Sequence, residues 1–377
     1  MKKRWLLVPV LLLSVPVLAF QAGLFPVFGA LPTTEDQQRF SSSRAYNPEI
    51  GEFQNRRAEL VASMQEEMEI LPMLREWFKE RPDGQPAVPL PERKPDMQQF
   101  MAPGSDTRII WFGHSTFLVN MADTIILVDP VFGDTAAPVN FTAKRFQPPV
   151  LPLEDLPPVD IILISHDHYD HLEAQSVRFF SDKATSFIVP LGVGGHLRRW
   201  GVSAERITEL DWWQSHDTDG LQFTATPAQH FSGRDGINNN QTLWASWVVA
   251  STNSRVFFSG DSGYDTHFAD IGERLGPFDL ALLENGQYDQ SWPYVHMLPA
   301  ETIQAFRDVK ARRLMPVHWG MFELAFHTWY EPVSAVSLLA EQNGIELVTP
   351  VLGELITLDE SLDTLPWWES LIEAPGP

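Results

Sequence analysis

Three histidines and two aspartates lie within six consecutive residues, a density that is typical of metal binding. They directly follow the apolar run Ile161–Ser165, which predicts a buried strand. Because His166 and His168 are two residues apart on an extended turn, their side chains point the same way and can bind one ion. Asp170 and His171 begin the next predicted helix and are rotated away, so they can bind a second ion nearby.

Two ions need more ligands than one turn supplies, and three later residues each follow an apolar strand near a glycine or a turn: His230, Asp261 and His318. Strand ends are where a sheet presents side chains to a crevice. One ion is predicted to bind three histidines: His166, His168 and His230. We expect Asp261 to bridge the ions, and the second ion to bind the remaining three: Asp170, His171 and His318. This arrangement leaves room for a bridging water and a substrate.

A metal-binding histidine also needs a partner for its second ring nitrogen, because that partner fixes the tautomer and the ring orientation. Asp129, at the end of the predicted strand Ile125–Val128, is the first candidate for this role. His114, beside Gly113, is the second. In the alternative interpretation, either residue only forms a turn.

Nine short motifs carry a resemblance to a known family, and they run from residue 111 to residue 320. They include Trp-Phe-Gly-His-Ser-Thr (111–116), Val-Asp-Pro-Val-Phe (128–132), Ser-His-Asp-His-Tyr-Asp-His-Leu (165–172), Pro-Ala-Gln-His (227–230), Gly-Asp-Ser-Gly-Tyr (260–264) and Val-His-Trp-Gly (317–320). The chain resembles the metallo-β-lactamase superfamily and, more narrowly, its N-acylphosphatidylethanolamine-hydrolysing phospholipase D branch. The resemblance implies a four-layer αβ/βα sandwich, two zinc ions, and phosphodiester hydrolysis that releases phosphatidic acid and an N-acylethanolamine.

The sequence departs from the animal enzymes of that branch at 283–288 and 292–296, so substrate choice is less constrained than hydrolysis. His296 stands where the family has a histidine near the reacting phosphate, and the resemblance implies an acid or a phosphate contact there. We therefore take Asp170 and His296 as candidate catalytic residues.

Two zinc ions would lower the pKa of a shared water to about 7, and the bridging hydroxide would attack phosphorus. His and Asp ligands also suit iron and manganese, so the ligand types leave the metal open. The same site could instead open a lactone or cleave an amide. A non-catalytic, membrane-tethered binding protein is a third hypothesis.

The elements that position these residues are short β-branched runs between Arg108 and Val317, with helical candidates between some of them. Adjacent strand pairs mixed with strand–helix alternation predict an α/β fold of two mixed sheets, packed together with helices outside. Upstream, one helix is predicted that Pro72 ends or bends, from four apolar residues: Leu60, Met64, Met68 and Leu71.

The composition narrows the classes of partner and site. The 377 residues include 27 basic and 49 acidic side chains, a net charge of −22, which argues against nucleic acid as a partner. There is no cysteine, which excludes disulfides, thiolate ligands and a cysteine nucleophile. Thirteen Trp and 24 Phe, several of the Trp in predicted loops, favour a phospholipid substrate and a membrane surface as partners.

The N-terminus has the pattern of a membrane-targeting segment. Lys2, Lys3 and Arg4 precede an uncharged run from Trp5 to Thr34, which is either an uncleaved anchor, a cleaved signal, or an interfacial or soluble segment. The basic residues before the run predict that the remainder lies on the non-cytoplasmic side, periplasmic or extracellular. The predicted organisation is a signal or anchor (1–34), a polar and helical extension with a linker (35–105), a hydrolase domain (106–358) and a tail (359–377).

Overall fold

The computed structural model describes residues 26–67, 70–77, 79, 81, 83–358, 360, 362 and 365–372. The strands, numbered along the chain, are β1 (Tyr46–Asn47), β2 (Glu52–Phe53), β3 (Arg108–Trp111), β4 (Phe117–Met121), β5 (Thr124–Val128), β6 (Ile161–Leu163), β7 (Ser186–Pro190), β8 (Ile207–Leu210), β9 (Ser215–Thr218), β10 (Leu221–Thr226), β11 (Ser246–Ala250), β12 (Arg255–Phe258), β13 (Leu280–Glu284), β14 (Arg313–Val317), β15 (Glu346–Leu347) and β16 (Leu355–Thr357). The helices are α1 (Thr34–Phe40), α2 (Ala58–Glu67), α3 (Ile70–Trp77), α4 (Met97–Phe100), α5 (Ala174–Phe180), α6 (Val193–Arg199), α7 (His267–Arg274), α8 (Pro299–Asp308), α9 (Glu331–Gln342) and α10 (Glu369–Ile372).

Most strands belong to two seven-stranded mixed sheets. The first sheet has the order β16-β3-β4-β5-β6-β7-β8, and the second has the order β9-β10-β11-β12-β13-β14-β15. In both, the first three pairs are antiparallel and the last three are parallel. The predicted α/β fold with two mixed sheets is therefore confirmed.

The sheets pack face to face, and helices cover their outer faces. Phe117 of the first sheet and Phe258 of the second meet edge to face between them, with ring centroids 5.1 Å apart. On the outer side of the first sheet, Val177 of α5 and Leu197 of α6 are fully buried. On the outer side of the second, Ile271 of α7 is fully buried and Ile303 of α8 nearly so. The resulting order is helix, sheet, sheet, helix, a four-layer sandwich.

The polar extension contains two described helical segments, α2 and α3, with residues 68 and 69 between them. Leu60 and Met64 lie in α2, and Leu71 lies in α3, where it is 80% exposed. Pro72 does not end the run, because α3 continues through it to Trp77. That it bends the run stays a prediction. Met68 lies outside the described residues.

The predicted membrane segment falls mainly on residues 1–25, which lie outside the described residues. Among the residues that the structure describes, no helix is long and apolar enough to span a bilayer. The described end of the segment instead contacts the sandwich. Trp200 Nε1 donates to the carbonyl of Pro26 at 2.5 Å, Arg234 Nη2 to that of Val27 at 3.0 Å, and the Ala30 amide to His196 Nδ1 at 2.9 Å.

Candidate metal centre

The predicted metal ligands all lie just beyond the ends of strands, at one edge of the sandwich. His166 follows β6 after two residues, and His318 directly follows β14. His230 and Asp261 lie beyond β10 and β12. Because β5 to β8 run parallel in one sheet and β12 to β15 in the other, each set presents its carboxyl ends together. Facing sheets thus bring together residues more than 150 positions apart.

Three histidine rings converge on one point of this edge. His168 Nδ1 lies 2.9 Å from His166 Nε2 and 3.2 Å from His230 Nε2. The His230 ring is held by its Nδ1, which lies 2.9 Å from the carbonyl of Val295, so Nε2 remains the acceptor. Burial keeps the pKa of both His166 and His230 well below its usual value, which favours the neutral imidazole that metal binding requires.

A second cluster surrounds the carboxylate of Asp170. Its Oδ2 lies 3.3 Å from His171 Nε2 and 3.8 Å from His318 Nε2. His114 Nε2 is nearer still, at 2.8 Å from the same oxygen. The structure therefore places His114 against a carboxylate and not, as the sequence suggested, against a histidine nitrogen. One ligand atom from each of these four residues lies within 4.8 Å of the others.

Asp261 lies between the two clusters, and each of its oxygens faces one of them. Oδ1 lies 2.8 Å from His318 Nδ1 and 3.2 Å from His171 Nε2. Oδ2 lies 3.7 Å from His230 Nε2 and 3.8 Å from His166 Nε2. A carboxylate with this orientation can contact a cation in each cluster at once.

The residues present fit a bound divalent metal. His171 Nε2 and Asp261 Oδ1 are both buried and have no hydrogen-bond partner among the described residues, although they lie 3.2 Å apart. Buried polar atoms are normally satisfied, and an uncompensated pair of this kind is accounted for when both bind an ion. Imidazole and carboxylate donors suit zinc, iron and manganese.

Asp129 holds the ring of one predicted ligand, His171, through the ring nitrogen that faces away from the cluster. It directly follows β5, and its Oδ2 lies 2.7 Å from His171 Nδ1. The same side chain accepts hydrogen bonds from the amide and the hydroxyl of Ser165, at 2.7 and 2.6 Å. Although burial opposes charge on the ring, Asp261 and Asp170 raise the pKa of His171 well above its usual value. The hydrogen bond of His171 Nδ1 to Asp129 directs Nε2 of the same ring at the cluster.

Two turns that carry site histidines are bonded to each other across the sandwich. The amide of His318 donates to the carbonyl of His114, and the amide of His114 donates to the carbonyl of Trp319, both at 3.0 Å. His114, His318 and Asp129 have φ of 53°, 67° and 40°, in the left-handed region that residues other than glycine rarely adopt. Strained backbone of this kind persists where the surrounding contacts fix it, often at functional sites.

His296 lies beside both clusters and is paired with an acid that the sequence did not single out. Its ring is stacked on that of His318, with centroids 5.3 Å apart, and 5.1 Å from that of His230. Its Nδ1 lies 3.5 Å from Oε2 of Glu284, the last residue of β13. Burial raises the pKa of Glu284 to about 7, even though His296 opposes that shift.

A cavity of about 550 Å³ opens onto the two clusters. His168, Asp170 and His296 form its polar floor. Its walls are mainly apolar and come partly from the N-terminal extension: Met64, Met73, Trp77, Phe231, Trp292, Val295 and Leu324. Neither the extension's share in these walls nor their position over the site follows from any local sequence pattern.

Asn55 is another site residue that the sequence did not reveal. Its side-chain nitrogen donates to the carbonyl of His230 at 2.7 Å, and its oxygen accepts from the amide of His230 at 3.0 Å. The same oxygen accepts from Trp244 Nε1 at 3.1 Å. The extension therefore fixes the backbone of a residue 175 positions later.

Asp167, within the histidine turn, points away from the two clusters, and its Oδ2 lies 3.2 Å from His196 Nε2.

Comparison with known proteins gives this geometry a family. A profile described as "Beta-lactamase superfamily domain" matches residues 124–319. An uncharacterized protein of Mycobacterium tuberculosis is 42% identical over 290 residues, which cover 76% of this chain and 77% of that protein. The N-acyl-phosphatidylethanolamine-hydrolyzing phospholipase D 1 of Caenorhabditis elegans is 37% identical over 263 residues, 65% of this chain and 74% of that protein.

The fold also has solved counterparts. The crystal structure of an isothiocyanate hydrolase from Delia radicum gut bacteria is similar, with a TM-score of 0.54. The similarity covers 66% of this chain and 98% of that chain, at 18% sequence identity. At this identity the likeness shows a shared fold only.

Proposed function

The chain belongs to the metallo-β-lactamase superfamily and to its N-acylphosphatidylethanolamine-hydrolysing phospholipase D-like branch, and we propose that it is a dinuclear zinc phosphodiesterase acting on N-acylated glycerophospholipids. The family and the His/Asp clusters make it a metal-dependent hydrolase. In the proposed reaction, water replaces the alcohol on phosphorus. The products are phosphatidic acid and an N-acylethanolamine.

One juxtaposition carries the proposal: two adjoining clusters of metal-binding side chains open into a single cavity with mainly apolar walls. A phosphodiester lipid has the matching chemistry, an anionic centre joined to long apolar chains. Met64 and Met73 are flexible enough to fill the space around acyl chains of different length, and Trp77 and Trp292 add apolar area.

The proposed ligands follow the two clusters. The three converging rings would hold the first ion: His166, His168 and His230. The residues around the buried carboxylate would hold the second: Asp170, His171 and His318. Asp261 would be a ligand of both, because its two oxygens face opposite clusters. His114 orients Asp170, and Asp129 orients His171.

When bound, two zinc ions lower the pKa of a shared water to about 7 and offset charge on the phosphoryl oxygens. The protein supplies the geometry. Asp170, His171 and Asp129 lock one side of the site, and the apolar walls exclude bulk water from the bond that breaks. His296 lines the cavity and stacks on His318, so it would contact either a phosphate oxygen or the leaving alcohol.

The proposed place of action is a membrane surface on the non-cytoplasmic side. Residues 1–34 act as signal or anchor, 35–105 as an extension that completes the cavity, 106–358 as the hydrolase domain and 359–377 as a tail. The basic and then apolar N-terminus supports this. A lipid substrate and a membrane-associated enzyme would meet at the same surface.

The test is metal analysis of the purified protein together with a hydrolysis screen. We expect about two zinc ions per chain and release of phosphatidic acid from N-acylphosphatidylethanolamine. Ring-opening of lactones or amide cleavage without phosphatidic acid would replace the phosphodiesterase by the other hydrolase class. A protein that binds no metal under any loading condition would overturn the proposal.

A further inference from the structure

Glu284 is a buried carboxylate that none of the roles above uses. Its side chain is 0% exposed, at the end of a central strand of the second sheet. One oxygen, Oε1, accepts from the amide of Met297 at 2.5 Å. The other, Oε2, has no hydrogen-bond partner among the described residues and lies 3.5 Å from His296 Nδ1. A buried carboxylate is costly unless it has a partner, and the nearest candidate is this ring.

The two nitrogens of the His296 ring face different surroundings, one towards Glu284 and the other towards the cavity. Nδ1 is buried against Glu284 and is itself without a partner among the described residues. The ring lines the cavity and stacks on His318, so Nε2 is the nitrogen available to a bound substrate. Catalytic hydrogen bonds are often long in the absence of substrate and tighten when it binds. A contact of 3.5 Å is of that kind.

We propose that Glu284 is a positioning residue that holds Nδ1–H of His296, so that Nε2–H of the same ring protonates the alcohol leaving from phosphorus. The inference rests on the proposed function and names the group that completes it. A carboxylate behind a catalytic histidine is the arrangement of the serine hydrolase triad, where it fixes the tautomer and stabilises the imidazolium.

The proton and bond balance is closed by water. The oxygen of water forms a bond to phosphorus, and the bond between phosphorus and the alcohol oxygen breaks. His296 transfers its Nε2 proton to that oxygen, so N-acylethanolamine leaves neutral. The proton released from the water returns to His296 through solvent. Glu284 exchanges no atoms with the substrate.

Glu284 is well placed to fix this ring, because both its backbone and its carboxylate are held by hydrogen bonds. The strand β13 pairs with β12 and β14 on both sides, and Glu284 lies opposite Val317, which precedes His318. The hydrogen bond to the Met297 amide ties the carboxylate to the segment that carries His296. Strand and segment thus move together, and the ring keeps its orientation to the cavity.

The experiment compares two substrates of the zinc-loaded full chain that differ in the leaving group. N-palmitoylphosphatidylethanolamine releases an aliphatic alcohol, which needs a proton. Phosphatidyl-p-nitrophenol releases a phenolate that is stable at neutral pH. We expect Glu284→Gln to lower kcat on the first substrate about 10- to 100-fold and to change kcat on the second less than about threefold, since general acid catalysis acts on the poor leaving group. Gln keeps the size of the side chain and the acceptor for Met297, so the fold is retained.

Three comparisons decide the matter. His296→Gln should likewise lower kcat mainly on the substrate with the aliphatic leaving group. In the double variant, Glu284→Gln should cause no further loss. Glu284→Asp, which moves the carboxylate away from Nδ1, should give a smaller loss of the same kind and serves if the Gln variant does not fold. Glu301→Gln changes a carboxylate whose one hydrogen bond among the described residues is to the nearby amide of Leu298. The ratio of its kcat values on the two substrates should equal that of the wild type.

Equal losses on both substrates, or no loss on either, would overturn the role of Glu284 while leaving the phosphodiesterase intact. A wild type that hydrolyses neither ester would overturn the proposed function, and this inference with it.

Discussion

Asp129 Oδ2 lies 2.7 Å from His171 Nδ1, and both side chains are completely buried. The carboxylate therefore fixes which ring nitrogen of His171 carries the proton, and leaves Nε2 free to face Asp170 and Asp261. The contact joins the end of β5 to the turn after β6, two neighbouring strands of the first sheet. Metal affinity should therefore depend on a residue that touches no metal.

Asp129→Asn should keep the fold and weaken zinc affinity about 10- to 100-fold, as changes behind a metal ligand usually do. The amide nitrogen would donate to His171 Nδ1 and move the ring proton to Nε2, the nitrogen that binds. Competition titration with a zinc chelator measures the affinity, and circular dichroism checks the fold. Asp160→Asn is the matched control, because Asp160 bonds the Ile125 amide at the opposite end of the same strands. Unchanged affinity in Asp129→Asn would contradict the role.

His168→Ala should lose metal and activity together. Its Nδ1 is the point at which the three rings of the first cluster converge, so its removal leaves only two of the three histidine ligands beside Asp261. Elemental analysis after dialysis gives the stoichiometry, which should fall below that of the wild type. His216→Ala, in the edge strand β9, should leave both unchanged. Full activity in a His168→Ala protein with reduced metal would show that the cluster is misassigned.

Met73→Ser should raise KM for a long-chain lipid about tenfold or more, because burying an apolar side chain against an acyl chain contributes about 1.5–3 kcal/mol. KM for a short-chain analogue should change little, and kcat should be unaffected. Leu71→Ser is the matched control on the same helix, since Leu71 is 80% exposed and does not line the cavity. Equal effects of the two variants would argue against acyl binding between α3 and the site.

Asn55→Ala should destabilise the protein by about 1–3 kcal/mol, because it leaves the buried amide of His230 without an acceptor. The change should also loosen His230 and weaken zinc binding. Chemical denaturation of the metal-free protein isolates the first effect, and chelator competition measures the second. Asn47→Ala provides the comparison, since the side chain of Asn47 bonds Gln54 and the amide of Glu49, in and next to its own hairpin. If both variants are equally stable, the extension does not support the site.

His267→Gln should make stability less dependent on pH. Burial lowers the pKa of His267 to about 3, with a smaller contribution from Arg56, whereas the unfolded chain has the ordinary value near 6.5. The unfolded state therefore binds more protons as pH falls from 6.5 towards 3, and stability is lost at up to about 1.4 kcal/mol per pH unit. Between pH 7 and pH 5, the loss measured on metal-free protein should be about 2 kcal/mol smaller in the variant. Gln can retain the contact with Ser262, and an equal loss in both proteins would contradict the shift.

The sequence was sufficient for features written into short stretches. The alternation of strands and helices predicted two mixed sheets, and the spacing from His166 to His171 together with strand ends selected seven side chains that the structure brings to one edge. The sequence was insufficient where one residue of a contacting pair lies in no recognisable motif. Asn55 acts on the backbone of His230, and Glu284 could be recognised only once β13 was placed beside His296.

Pro72 shows a different limit. A proline after an apolar periodic run predicts the end of a helix, yet α3 continues from Ile70 through Pro72 to Trp77. His114 was likewise predicted near the site, but its partner, the carboxylate of Asp170, depends on how the turn between β3 and β4 meets the turn after β6 in the same sheet.

The two amide hydrogen bonds between the turns of His114 and His318 tie the first sheet to the second at the site. If the two sheets separate and these hydrogen bonds break, the side chains on either side of Asp261 also move apart. Metal release and loss of tertiary structure should therefore occur as one cooperative event. An ion at 1,000 times its dissociation constant would then stabilise the whole fold by about 4 kcal/mol. In an environment where the metal is scarce, the protein would become easier to degrade as well as inactive.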